Sequence, residues 1–170
     1  MAIIRPETEA DYAQVRRIHE QAFGRPDEAE VVESLRPKAG LVLSLVAIRK
    51  GEPVAHAFFS RVVIECESGF DRGVALAPLG VLPEHQRTGL GTDLVRHGIA
   101  ALKNRRHGVM VVLGEPGFYE RFGFKPAVRF GLRCTFPVPP ECFMALPLDA
   151  GWCGAGGLVR YAPPFELLAG

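Results

Sequence analysis

Chemistry in this chain of 170 residues points first to the stretch Gln86-Arg87-Thr88-Gly89-Leu90-Gly91-Thr92. It joins an apolar run ending at Val81 to a helical stripe that begins at Leu90, and Pro83 stops the strand and turns the chain. Gly89 and Gly91 carry no side chain, so a ligand can come close to the backbone. The first turn of the following helix leaves N–H groups unpaired and carries the positive end of the helix dipole. Arg87 adds a full positive charge. Together these features make a cradle for an anion, above all a phosphate. Other phosphate motifs fit less well. A dinucleotide G-x-G-x-x-G would need glycine where Leu94 stands, and a P-loop would need Lys-Ser or Lys-Thr after Gly91, which is followed by Thr92-Asp93.

The run Gln86 to Gly91 resembles the Q/R-x-x-G-x-G/A signature of the GCN5-related N-acetyltransferases, the GNAT family. Phe118-Tyr119-Glu120-Arg121-Phe122-Gly123-Phe124 is similar to that family's second motif, an aromatic pair on a short helix with a Gly-Phe ending. The short Leu113-Gly114-Glu115-Pro116-Gly117 connection and the long Pro/Gly-rich tail look like a YhbS-like branch. The resemblance implies a mixed α/β (α+β) GNAT fold with a mixed central sheet flanked by helices. It implies acetyl-CoA as cosubstrate, no metal, and transfer to a primary amine of a small molecule or peptide by direct attack in a ternary complex. By position, Leu79, Gly80 and Val81 would hold the pantetheine arm and thioester on a strand splayed from its neighbour. Arg87, Thr88, Gly89, Leu90, Gly91 and Thr92 would hold the pyrophosphate, the Val81 N–H would face the oxyanion, and Tyr119 would protonate the leaving sulfur as general acid.

Two features of many relatives are missing. No asparagine precedes the short helix, and the run Val109 to Leu113 carries no carboxylate, so neither role transfers. Candidate bases are Glu84, His85, His56 and Glu115, with a base acting through water, or none, as alternatives. A non-catalytic acyl-CoA-binding module would need the cradle but no proton donor at Tyr119. A transferase for longer acyl groups would share every motif.

The elements that must position these groups follow from periodicity. Ile3-Ile4 begins a strand, Thr8 and Asp11 form a capping box, and Tyr12, Val15, Ile18-His19 and Ala22-Phe23 recur at helical spacing. A second helix from Asp27 uses Val31, Val32 and Leu35 and ends at Pro37. Strands are predicted over Leu41 to Ile48, Pro53 to Ile64 and Gly73 to Val81, with a turn at Gly51-Glu52. Leu90, Leu94, Val95, Ile99 and Leu102 stripe a helix running to His107-Gly108. Val109 to Leu113 is a buried strand, Pro116 to Phe122 a short helix closed by Gly123, and Cys142 to Leu148 the last strand. The strand–helix–strand unit around the glycine loop calls for a parallel pair.

Composition bounds the rest. The length suits one domain over 1–170, with an extension from about 149. A net charge of +1 argues against bulk nucleic acid as partner. Basic clusters at Arg16-Arg17 and Lys103 to His107 read as solvated helix surfaces. The start lacks a signal pattern, and no apolar run is long enough to span a membrane. Cys66, Cys134, Cys142 and Cys153 show no metal-ligand spacing and read as reduced thiols of a cytoplasmic protein. The tail residues Trp152, Tyr161 and Phe165 are expected to pack over the sheet, to wall the acceptor cleft or to build a homodimer contact.

Overall fold

The computed structural model describes residues 1–37 and 40–169. Strand β1 (Ile3–Pro6) passes through a 3-10 turn into helix α1 (Tyr12–Phe23). The Thr8–Asp11 box forms, with the Asp11 carboxylate accepting the Thr8 N–H at 2.8 Å. Arg5 donates to both Asp11 oxygens (2.7 and 2.9 Å), and these bonds hold the carboxyl down at about 2. Val15, Ile18 and His19 are the buried face of α1. Tyr12 and Phe23, read as part of that face, lie at the helix ends and are partly exposed, and Arg36 stacks 3.7 Å above the Tyr12 ring. Helix α2 (Asp27–Leu35) buries Val31, Val32 and Leu35 as its spacing predicts.

Strands β2 (Leu41–Arg49), β3 (Glu52–Cys66) and β4 (Gly69–Val81) form an antiparallel meander. The first turn centres on Lys50 and Gly51, both at positive φ (50° and 81°), one residue before the predicted pair. Two such residues make the turn twist that hairpins favour. Helix α3 (Leu90–Leu102) then crosses to β5 (Val109–Leu113), which runs parallel to β4. The predicted helix to His107-Gly108 is thus too long by about a turn. Lys103 turns extended and Asn104 and Arg106 take positive φ. Asp149 accepts the N–H groups of Arg106 (2.9 Å) and Gly108 (2.7 Å), and Asn104 accepts that of Ala150 (3.0 Å). The basic cluster Lys103 to His107 therefore sits on a loop tied to the tail, not on a helix.

Helix α4 (Pro116–Tyr119) runs into a 3-10 turn (Glu120–Phe122) that Gly123 ends. Strands β6 (Lys125–Pro126) and β7 (Leu132–Cys134) follow, then β8 (Phe143–Pro147) against β5 and β9 (Gly157–Arg160) against both β3 and β7. Only two to four residues long, β6, β7 and β9 carry no alternation that sequence reading could catch. The sheet order is β1-β2-β3-β4-β5-β8-β6. Consecutive β3 residues face opposite sides. Phe59 packs with Leu90, Leu94 and Val95 under α3, while Phe58 packs with α1, α2 and Phe165 of the C-terminal 3-10 turn.

What this frame does for a site happens between β4 and β5. Their pairing runs from Gly73↔Val109 to Ala75↔Val111 and stops. A register shift of one residue then places both Ala77 and Pro78 opposite Phe58, a bulge that bends the strand. Beyond it β5 pairs only with β8, so Leu76 to Val81 diverge from β5 and leave a wedge.

Candidate active site

The glycine loop is pinned at both ends. The Gln86 side-chain amide donates to the Val81 carbonyl (3.1 Å), and the Thr88 hydroxyl donates to the His85 carbonyl (2.6 Å). Gly89 sits at φ 92°, a left-handed conformation that glycine adopts at little cost. Among the described residues, no acceptor takes the N–H groups of Arg87, Thr88 and Gly89. Those of Leu90, Gly91 and Thr92 lie in the first turn of α3, where no intrahelical partner exists. These donors border a cavity of about 540 Å³ whose wall includes Arg87, Gly89, Gly91 and Thr92. The Leu90 side chain is buried beneath it, so only its backbone can serve.

Arg121 is a second cation at this cavity, which sequence reading did not single out. It donates to the Thr92 hydroxyl (3.1 Å) and the Phe118 carbonyl (3.2 Å), and its guanidinium stacks 4.7 Å from the Phe118 ring. Its place in the aromatic motif, three residues after Phe118, is the signal that could have marked it.

The edge of β4 has its own alternation. Leu82 donates its N–H to Val54, so in this antiparallel register Val81 is not bonded to β3. The backbone groups of Val81 and, two residues back, Leu79 face the open side, while Gly80 is committed to β3. Gly80 instead backs onto α1, where a Cβ would lie 2.7 Å from His19 Nδ1.

His19 heads a buried polar chain that the sequence did not reveal. It meets His56 Nδ1 (2.7 Å), His56 Nε2 meets Ser44 Oγ (2.7 Å), and Ser44 donates to Glu7 (2.8 Å), which Arg36 holds (2.7 Å). Since the Ser44 proton goes to Glu7, His56 must donate from Nε2 and His19 from Nε2. His19 Nδ1 is then a bare acceptor, and it has no partner. Burial holds both rings neutral, lowering His19 to about 3 and His56 well below its ordinary value. His56, considered as a base, is fully buried and lines neither this cavity nor the one in the wedge. Glu84 lines neither, His85 borders the cavity at the glycine loop beside Arg49, and Glu115 borders a larger one.

That larger cavity, about 580 Å³, fills the wedge and shares Phe23, Leu79 and Phe118 with the first. Tyr119 lies in its wall, 8% exposed, edge-on to Phe118 (4.9 Å) and Phe124 (5.6 Å). No group among the described residues hydrogen-bonds its hydroxyl, and burial pushes its pKa up to about 12. Tyr161 and Phe165 line the same cavity; Trp152 does not, and donates to Asp71 elsewhere (3.2 Å).

Residues 3–127 match the family described as acetyltransferase (GNAT) domain. This chain is a GNAT acetyltransferase. It is 36% identical over 163 residues to the uncharacterized N-acetyltransferase YjhQ of Escherichia coli strain K12, covering 92% of this chain and 90% of that one. To the uncharacterized N-acetyltransferase YhbS of the same strain it is 33% identical over 166 residues, covering 96% and 98%. The crystal structure of Escherichia coli YhbS in complex with CoA superposes with a TM-score of 0.89 at 31% identity, covering 97% and 92%. That of a Brucella melitensis GNAT acetyltransferase in complex with acetyl-CoA gives 0.80 at 32%, covering 97% and 98%. The family and fold expected from the two motifs are borne out.

Proposed function

We propose that this enzyme moves the acetyl group of acetyl-CoA to a primary amine by direct attack within a ternary complex. The observation that carries the reading is one of unmet donors. A row of free N–H groups with two cations lies beside a wedge whose wall holds a tyrosine hydroxyl without a protein partner among the described residues. The cradle fits a pyrophosphate, with Arg87 to Thr92 and Arg121 around it. The open backbone of Leu79 and Val81 suits a pantetheine arm lying as an added strand. Acetyl-CoA brings an activated thioester; the chain's own residues hold it, orient it and meet the charge that develops. Val81 N–H, facing the wedge, would stabilise the oxygen that becomes negative. Tyr119 would offer its proton to the departing sulfur.

The size of that last effect can be bounded. A hydroxyl at about 12 stays protonated at any working pH, but a thiol near 8.5 is the stronger acid. A strong hydrogen bond is therefore favoured over full transfer, and about 10²-fold, the low end of general-acid help, is expected. We assign the reaction to the cytoplasm, on four cysteines that are all free thiols. The test is release of free coenzyme A thiol with an amine panel, paired with mass spectrometry of the product. Acetyl-CoA that binds but is never consumed with any amine would overturn the proposal.

A further inference from the structure

We infer that the acceptor is a primary amine carried on an apolar body of about the size of an arylalkyl group, an inference that rests on the acetyl-transfer reading above. Tyr119 and the open edge of β4 form only one side of the larger cavity. Its far wall comes from segments beyond the motifs. Phe136 and Val138 follow β7, Tyr161 follows β9, and Phe165 and Leu168 lie on the C-terminal turn. Phe136 packs edge-on against Tyr161 (5.1 Å) and Tyr161 against Phe165 (5.3 Å), so the rings brace one another.

The charged side chains in this wall are Glu28 and Glu115; no lysine or arginine among the described residues lines it. Glu28 is 3% exposed and accepts from Arg25 at 2.8 and 2.9 Å. A carboxylate offers about four lone-pair sites, so acceptor capacity remains after a bidentate arginine. Asp27 also lies 3.7 Å from Arg25, giving two carboxylates to one guanidinium. The Tyr161 hydroxyl, like that of Tyr119, has no partner among the described residues.

These features select by exclusion as well as attraction. A free amino acid would bring its carboxylate towards Glu28 and Glu115. A hydroxylated or polyamine acceptor would lose hydration against Phe136, Val138 and Leu168 with few groups to replace it. An arylalkyl amine places its ring on the aromatic wall and its ammonium at the carboxylates.

The experiment measures kcat/KM at saturating acetyl-CoA for 2-phenylethylamine, ethanolamine, putrescine and glycine. We expect 2-phenylethylamine to lead by about tenfold or more. Glu28→Gln and Phe136→Ala should each raise its KM about tenfold while the acetyl-CoA-induced melting shift persists. The uncharged isostere 2-phenylethanol, used as inhibitor, separates charge from packing. Its Ki should rise in Phe136→Ala and stay unchanged in Glu28→Gln, which a merely structural Glu28 would not produce. A preference for putrescine or glycine overturns the inference and leaves acetyl transfer standing. So does faster consumption of octanoyl-CoA than of acetyl-CoA with ethanolamine, which would give the cavity to the acyl chain. Failure of acetyl-CoA itself to bind removes both readings.

Discussion

Gly89 shows how much a single position can hold. Its φ of 92° bends the loop so that three successive N–H groups point at no protein acceptor, and space around a would-be Cβ is open. Glutamate there would place a negative charge in the cradle and force a left-handed backbone, at about 1–2 kcal/mol. Gly89→Glu should therefore melt slightly lower without ligand and show no rise with acetyl-CoA. The parent should gain about 2.7 kcal/mol at a concentration of 100 times Kd. Thermal melts with and without acetyl-CoA check this; an undiminished shift in the variant would remove the phosphate assignment. This part of the site was legible in the sequence because its residues are neighbours along the chain. Glu28 and Tyr161 were not, because they reach the cavity only where distant segments meet; Arg121 stood in the aromatic motif, but its contact with Thr92, 29 residues back, could not be read there.

Between elements, α1 and the sheet are joined by polar groups where a continuous apolar stripe would be usual. His19 and His56 are neutral in the fold, with pKa values below the unfolded value near 6.5. As pH falls below 6.5 the unfolded chain binds protons that the folded chain refuses, so stability is full above that pH and declines beneath it. The loss should approach about 1.4 kcal/mol per pH unit for each ring below about pH 6. Urea unfolding from pH 7 to pH 4.5 stays above the range where Asp11 protonates; a flat profile would contradict the buried chain. The histidine spacing on α1 looked like any inner face, so pairing with His56, 37 residues on, was invisible in one dimension. Helix and strand cores were readable from periodicity, whereas the end of α3 was set by Asp149 and Leu148 from the tail. The C-terminal turn packs against α2 through Phe165, 2% exposed. Phe165→Ala should cost about 3–5 kcal/mol and roughly 10 °C in Tm. A melting temperature equal to the parent's would show that the tail is not part of the packed body.

At the scale of the molecule, recognition and chemistry are divided among parts that the fold brings together. In the proposed reading the loop before α3 would hold the anion, while the bulged half of β4 lines the wedge, α4 brings the hydroxyl, and the tail closes the far side. No helix among the described residues is long and apolar enough to cross a membrane. The near-neutral charge of +1 leaves attraction local, at Arg87 and Arg121, where the cradle needs it. Because the cradle and Tyr119 occupy different walls, binding of acetyl-CoA and the rate of transfer should respond to different substitutions. The direct test is to measure the acetyl-CoA Kd and kcat side by side in the parent and in Tyr119→Phe, with pre-steady-state kinetics to confirm that chemistry limits turnover. The account predicts an unchanged Kd and a kcat lower by about 10²-fold. Equal kcat in the two proteins, with chemistry limiting, would make Tyr119 a packing residue and contradict the assignment of the proton donor.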